Sequence, residues 1–332
     1  MPSFDVITLG AATQDVFVFS KQFEETPDAA APDGLDACLP LGSKIGLDDL
    51  IFATGGGATN AAVTFSRFGL KTACLARVGK DAAGDDVAAQ LKQDRVETRF
   101  IQRDASLRTA YSIILVSGSG HRAILTYRGA SAKLSSQEIP WNGLSAKWVY
   151  VTSLAGDLAM LKQAFAFADR VGARVAWNPG NAELKLGRKK LEPFLRKCAV
   201  LDVNREEAAV LADAAPESLD TIIGTLASLP RLALLVTDGG NGAYVHAGGK
   251  TLFAPALKAK RVNTTGAGDA FGSGFVAALA HGADTKTALQ TAMLNATGVI
   301  THMGAKAGIL KKMPTQNEQA RVKVYAHPRG KS

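Results

Sequence analysis

Short apolar runs recur along this chain, each ending at a glycine or polar turn, with helix-like stretches between them. Residues 6–9 end at Gly10, and residues 148–152 form another such run. Residues 174–177 end at Asn178-Pro179-Gly180, residues 200–203 at Asn204, and residues 232–237 at Asp238-Gly239-Gly240. Helix-like stretches cover residues 60–68, where Ala62, Phe65 and Phe68 share a face, and residues 158–171, 270–281 and 286–303. A strand covered on both faces reads as an unbroken apolar run. Alternation of such strands with helices predicts a doubly wound α/β fold, a mostly parallel sheet flanked by helices. Ligands of open α/β sheets bind at the carboxyl ends of the strands, so the residues that close each run are candidates for a site.

Two segments break the alternation. Residues 21–50 are rich in Pro, Gly and Asp without a sustained period, and read as an excursion from the core. Residues 111–116 and 122–127 flank Ser117-Gly118-Ser119-Gly120-His121, the pattern of a β-hairpin. The chain of 332 residues fits one large α/β domain, residues 1–312, followed by a polar tail, residues 313–332, expected to fray.

Charge and composition exclude several classes. The net charge of +8, from 38 Lys and Arg against 30 Asp and Glu, favours anionic partners. Those charges are scattered, and no basic stripe is interleaved with aromatics, so no nucleic-acid partner is expected. No apolar run approaches the ~20 residues of a membrane helix, and the N-terminus lacks the pattern of a secretory leader. Cys38, Cys74 and Cys198 are odd in number and far apart, which fits a reducing, cytoplasmic setting without disulfides or structural zinc. A Walker loop fails at Tyr244, where its first glycine belongs, and Gly10 has no partners for a dinucleotide fingerprint. Neither a nucleophile elbow nor a zinc helix is present.

One motif carries chemistry. Asn263-Thr264-Thr265-Gly266-Ala267-Gly268-Asp269 opens the helix-like stretch 270–281. Gly266 and Gly268 leave N–H groups unobstructed beside the positive end of a helix, an anion site suited to a phosphoryl group. Asp269 would repel that anion, yet it makes sense as a base for a hydroxyl attacking phosphorus. A first-turn acid that stabilises the helix is the alternative. Gly55-Gly56-Gly57 feeds a second helix carrying Asn60, whose amide offers a donor and an acceptor to vicinal hydroxyls, or caps the helix. Asn204 and Glu207 follow a strand, placed either to organise magnesium waters or to cap a helix.

In this order the features resemble the ribokinase-like (PfkB) carbohydrate kinase family. The matching stretches are residues 55–60, 77–84 and 262–275, with Gly10 and Asp15, Asn204 and Glu207, and residues 236–243 and 295–308. The likeness spans residues 6–310. It implies a small β-sheet lid, drawn from residues 11–52 and 99–127, over the doubly wound sheet. It implies an ATP-dependent kinase of a free sugar, ribose- or fructose-like, with a nucleoside kinase as the alternative. Asp269 would be the base and the Gly266, Ala267 and Gly268 N–H groups the anion hole. Asp15, Gly56, Gly57 and Asn60 would hold the sugar, with Asn178 bordering the pocket. Asn204 and Glu207 would sit near Mg2+ and the triphosphate, Glu207 acting on the metal indirectly. Thr237, Gly239, Gly242 and Thr265 would line the nucleotide, with Asn295 near adenine. Many relatives dimerise through the lid.

Two departures from the family pattern matter. Asn263 stands where relatives carry an Asp that ligates a monovalent cation such as K+; Asn keeps a carbonyl oxygen but loses the charge. Gly57 stands where relatives acting on phosphosugars carry Lys, which favours an unphosphorylated acceptor. Arg128 is left to bind an anion or pair with a surface acid. Phe17, Phe19, Phe52 and Tyr111 are the lid aromatics that a nucleoside base would stack on.

Overall fold

A computed structural model describes residues 3–31 and 34–327. Its main sheet has nine strands in the order Tyr325–Ala326, Lys250–Pro255, Gly242–Ala247, Ala233–Thr237, Val200–Asn204, Arg174–Trp177, Ser145–Val151, Ser3–Leu9, Thr72–Leu75. The six strands from Thr72–Leu75 to Ala233–Thr237 are parallel, and the other three are antiparallel. Side chains alternate between two cores. Val149 and Val151, Val175 and Trp177, and Leu201 and Val203 enter one core with Leu161 and Phe165 of the helix Leu158–Val171. Trp148, Tyr150, Ala176 and Val200 enter the other, against Phe65 of the helix Gly57–Arg67 and Phe271 and Phe275 of the helix Ala267–Ala280. The chain thus covers both faces of the sheet, the arrangement that the unbroken apolar runs require.

The order contains a switch. From Ser3–Leu9 the chain goes out to Thr72–Leu75 on one side, then returns to Ser145–Val151 on the other. Connections leaving in opposite directions open a crevice at the carboxyl ends of neighbouring strands. Gly10 and Thr152 lie at its floor.

A second, four-stranded sheet has the order Arg122–Tyr127, Ala110–Ser117, Thr13–Ser20, Asp49–Gly55. Its middle pair is parallel and the outer pairs antiparallel. The last strand runs on to Gly55, past the expected lid boundary at residue 52, and ends on the glycine triplet. Residues Gln102–Asp104 pair instead with Arg77–Gly79, outside this sheet. Residues 21–50 are not all loop, since Glu24–Pro27 and Leu35–Cys38 form a two-stranded ribbon. Among the described residues, no helix is long and apolar enough to cross a membrane.

The tail does not fray within the described residues. Thr315 and Glu318 form a reciprocal cap on the short helix Gln316–Gln319. Gln319 donates to the Thr291 hydroxyl at 3.0 Å, and Gln290 donates to the Val322 carbonyl at 2.9 Å. Val322 is 1% exposed, and Tyr325–Ala326 adds the ninth strand. The tail's polar side chains serve as caps and satisfy a neighbouring helix, and one apolar anchor suffices for docking; average polarity hid both. Burying a valine contributes roughly 1.5–3 kcal/mol. Deletion of residues 315–332 is therefore expected to lower the thermal midpoint by about 5 °C. An unchanged melting curve would show the docking to be energetically idle.

Candidate active site

The crevice gathers two helix N-termini. Gly56, with φ of 94°, caps the helix Gly57–Arg67, and Gly266, with φ of 81°, caps the helix Ala267–Ala280. Asn60 and Asp269 lie in the first turns of these helices, and Asn60 Nδ2 donates to Asp269 Oδ2 at 2.8 Å. The glycine triplet is forced by close approach. A Cβ on Gly55 would collide with the Asp15 carboxylate, and one on Gly57 would lie 3.1 Å from Asp269 Oδ1 and 3.0 Å from Thr152 Cβ. Asp15, Gly56, Gly57, Asn60 and Asp269 are therefore one cluster. Asp15 is 3% exposed and accepts from the Thr13 hydroxyl at 3.0 Å.

Asp269 remains partly accessible, beside exposed Gly268. Burial of its carboxyl pushes it above the ordinary carboxylate range. The Asn60 hydrogen bond and the Lys306 charge pull it back, and Asp15 pushes it up further. A carboxylate raised in this way suits proton abstraction near neutrality.

The loop before Asp269 is shaped for an anion. Asn263 Oδ1 accepts from the Thr265 N–H at 2.6 Å, so the carbonyl oxygen of the K+ expectation also holds the loop in shape. The Ala267 N–H donates to the Thr264 carbonyl at 3.2 Å. Of the three expected donors, Ala267 is thus engaged in a turn, while the Gly266 and Gly268 N–H groups have no backbone acceptor among the described residues. Gly266 is backed by Ala305, whose Cβ would sit 2.5 Å from a Cβ placed there. From the small sheet, Arg122 donates to the Thr264 hydroxyl, bringing the two sheets together across the crevice.

The remaining candidates line the neighbouring strand ends. Asn204 caps the helix Arg205–Ala212: its side chain accepts from the Glu207 N–H at 2.8 Å, and Glu207 Oε2 accepts from the Asn204 N–H at 2.9 Å. The capping alternative therefore holds, although Glu207 Oε1 keeps no partner among the described residues and can hold a magnesium-bound water. Burial raises the Glu207 carboxyl, and the nearby Glu206 and Asp269 charges add to this. Thr237 ends its strand, and the ion pair Arg205–Asp238 at 2.6 Å pins the turn carrying Gly239 and Gly242. Asn178 Nδ2 donates to the Asp202 carbonyl at 2.9 Å, tying adjacent strand ends.

Asn295 corrects the expectation of adenine contact. It is fully buried; Nδ2 donates to the Ala270 carbonyl at 2.8 Å and to the Thr64 hydroxyl at 3.2 Å, and Oδ1 accepts from the Leu310 N–H at 3.1 Å. Its amide ties three segments of the core together and is withheld from any ligand. No cluster of three His, Cys, Asp or Glu side chains able to hold a metal occurs among the described residues.

Three residues that shape the site were not legible beforehand. Buried Glu183 accepts from the N–H groups of Leu154, Gly156 and Gly180 and from the Ser153 hydroxyl, fixing the loop behind the crevice floor. Asp202 is buried against Tyr150, and burial raises its carboxyl strongly. Lys306 is 5% exposed within a run of small residues, Gly304-Ala305-Lys306-Ala307-Gly308. The small neighbours were the one sequence signal, marking a tightly packed turn.

Removing the Asn60 amide takes away the contact that lowers the Asp269 carboxyl. In Asn60→Ala, the pH at which activity is lost on acidification is expected to rise, because Asp269 protonates more readily. A pH–rate profile with an unmoved acid limb would show that the hydrogen bond does not tune Asp269.

The pfkB family carbohydrate kinase model matches residues 44–312. A ribokinase of Schizosaccharomyces pombe is 29% identical over 273 residues, covering 78% of this chain and 84% of that protein. The solved adenosine kinase of Sinorhizobium meliloti superposes with a TM-score of 0.76 at 23% identity, over 91% of this chain and 95% of that one. The Arabidopsis thaliana ribokinase complexed with ribose and ATP gives a TM-score of 0.75 at 21% identity, over 96% and 98%. The chain belongs to the pfkB carbohydrate kinase family and is a phosphotransferase enzyme acting on an alcohol group.

Proposed function

We propose that this enzyme transfers the γ-phosphoryl group of ATP to a hydroxyl of a free, ribose- or fructose-like sugar. The observation that carries the reading is the position of Asp269, bonded to Asn60 beside the glycine triplet on one side and adjoining the Gly266–Gly268 N–H groups on the other. The acceptor hydroxyl gives its proton to Asp269 as its oxygen bonds to the γ-phosphorus, and the bond from phosphorus to the bridging oxygen breaks to release ADP. The Gly266 and Gly268 N–H groups and two helix N-termini meet the charge on the transferring group. Glu207 Oε1 would hold a water of Mg2+ brought in with the nucleotide, an ion that would offset charge on the phosphates.

The acceptor side supports a small polyol. Asn60 Oδ1 is buried without a partner among the described residues, an acceptor that a sugar hydroxyl satisfies. A small cavity of about 40 Å³ is lined by Ala11, Thr13, Tyr127, Arg128, Ser131 and Ser153. Of the four aromatics that a nucleoside base would use, three are poorly placed, while Phe19 is partly exposed on the face that carries Asp15. Phe17 is fully buried, and Phe52 and Tyr111 pair with Val16 and Gln14, on the sheet face opposite Asp15. Leu50, Phe52, Ile113 and Leu125 leave that outer face apolar and exposed, which supports a homodimer through the lid.

A coupled ADP-release screen over pentoses, hexoses and nucleosides tests the acceptor. Turnover of a free pentose or hexose is expected, and turnover of nucleosides alone would replace the sugar reading with a nucleoside kinase. Asp269→Asn is expected to cut turnover by at least ~100-fold while ATP still binds. Near-normal turnover in that variant would remove Asp269 from the chemistry.

A further inference from the structure

Lys306 has no part in the mechanism above, yet it is a lysine buried at the edge of the crevice. The next residue back, Ala305, is packed against Gly266 of the anion loop, and a Cβ on Gly304 would lie 3.0 Å from Ala53 Cβ on the small sheet. The turn is anchored from behind: Arg67 Nη1 donates to the carbonyls of Lys306 at 3.0 Å and Ile309 at 2.9 Å, while Arg67 Nε pairs with Asp94 at 2.7 Å. The lysine side chain enters the core, and its Nζ has no hydrogen-bond partner among the described residues. An ammonium buried without a partner is costly unless opposite charge lies near.

The charges that reach it are those of the Asp15, Asp269 and Asp94 carboxylates, together with the Cys74 thiol. Asp94 is already paired with Arg67. Burial pushes the Cys74 thiol up to about 11, so it stays neutral. Asp15 and Asp269 remain, the two carboxylates that flank the glycine triplet. We infer that Lys306 is a positioning residue for phosphoryl transfer, its ammonium offsetting the charge that Asp15 and Asp269 turn toward the incoming phosphoryl group and keeping Asp269 ionised. This inference rests on the kinase reading of the same site.

Burial holds the Lys306 ammonium down to about 8, so its charge is present below that pH and lost above it. In the unmodified enzyme, kcat is expected to fall as pH rises through about 8. Lys306→Met keeps the bulk and removes the charge. It is expected to lose about tenfold in kcat at neutral pH with little change in KM, the effect of one pKa unit of electrostatic support. Its alkaline limb should vanish, and its acid limb should move to higher pH because Asp269 has lost a neighbouring cation. A Lys306→Met enzyme with the parent kcat and both limbs in place overturns the inference while leaving the kinase reading intact. If that variant does not fold, the unmodified enzyme decides: a rate that stays flat through pH 8 and beyond overturns it. A protein that turns over no acceptor at all overturns the kinase reading, and this inference with it.

Discussion

A single hydrogen bond, from the Asn60 amide to the Asp269 carboxylate, joins the N-terminal turns of two helices that lie far apart in sequence. It forms at the switch point of the main sheet, where the crevice already opens, and both helices bring their positive ends to it. The glycines on either side permit the approach: Gly55 and Gly57 make room for the two carboxylates, and Gly266 makes room for Ala305. The proposed anion loop, the proposed acceptor pocket and the strand ending at Gly55 all meet at this junction.

The surrounding electrostatics are unusual for a site proposed to receive ATP. Asp269 lies within reach of the charges of Asp15, Asp202 and Glu207, and burial raises Asp202, Glu207 and Asp269. Their repulsion is relieved by fixed hydrogen bonds and helix ends, and the Lys306 charge reaches Asp15 and Asp269. A carboxylate in such surroundings is held above the range of an exposed aspartate.

Much of this was legible in the sequence because the strongest signals are local. The helix Leu158–Val171 and the strand Arg174–Trp177 follow directly from apolar runs bounded by turn residues. The two glycine loops also marked themselves, since bare backbone before a helix has few other uses. Other parts depend on distant contacts that no local pattern encodes. Asn295 looks like any polar helix residue until its amide is seen spanning three core segments. Glu207 offered two readings, and its reciprocal bonds with Asn204 show the cap while leaving Oε1 unused. The docking of Val322 and the burial of Lys306 are likewise set by packing partners far along the chain.

The central claim is that Asp269 stands between acceptor and phosphoryl donor. A crystal structure of the protein with a non-hydrolysable ATP analogue, Mg2+ and a free pentose tests it most directly. One sugar hydroxyl is expected about 3 Å from the Asp269 carboxylate, with the γ-phosphate facing the Gly266 and Gly268 N–H groups. A sugar whose nearest hydroxyl is met by another base, or an Asp269 turned away from both ligands, would contradict it.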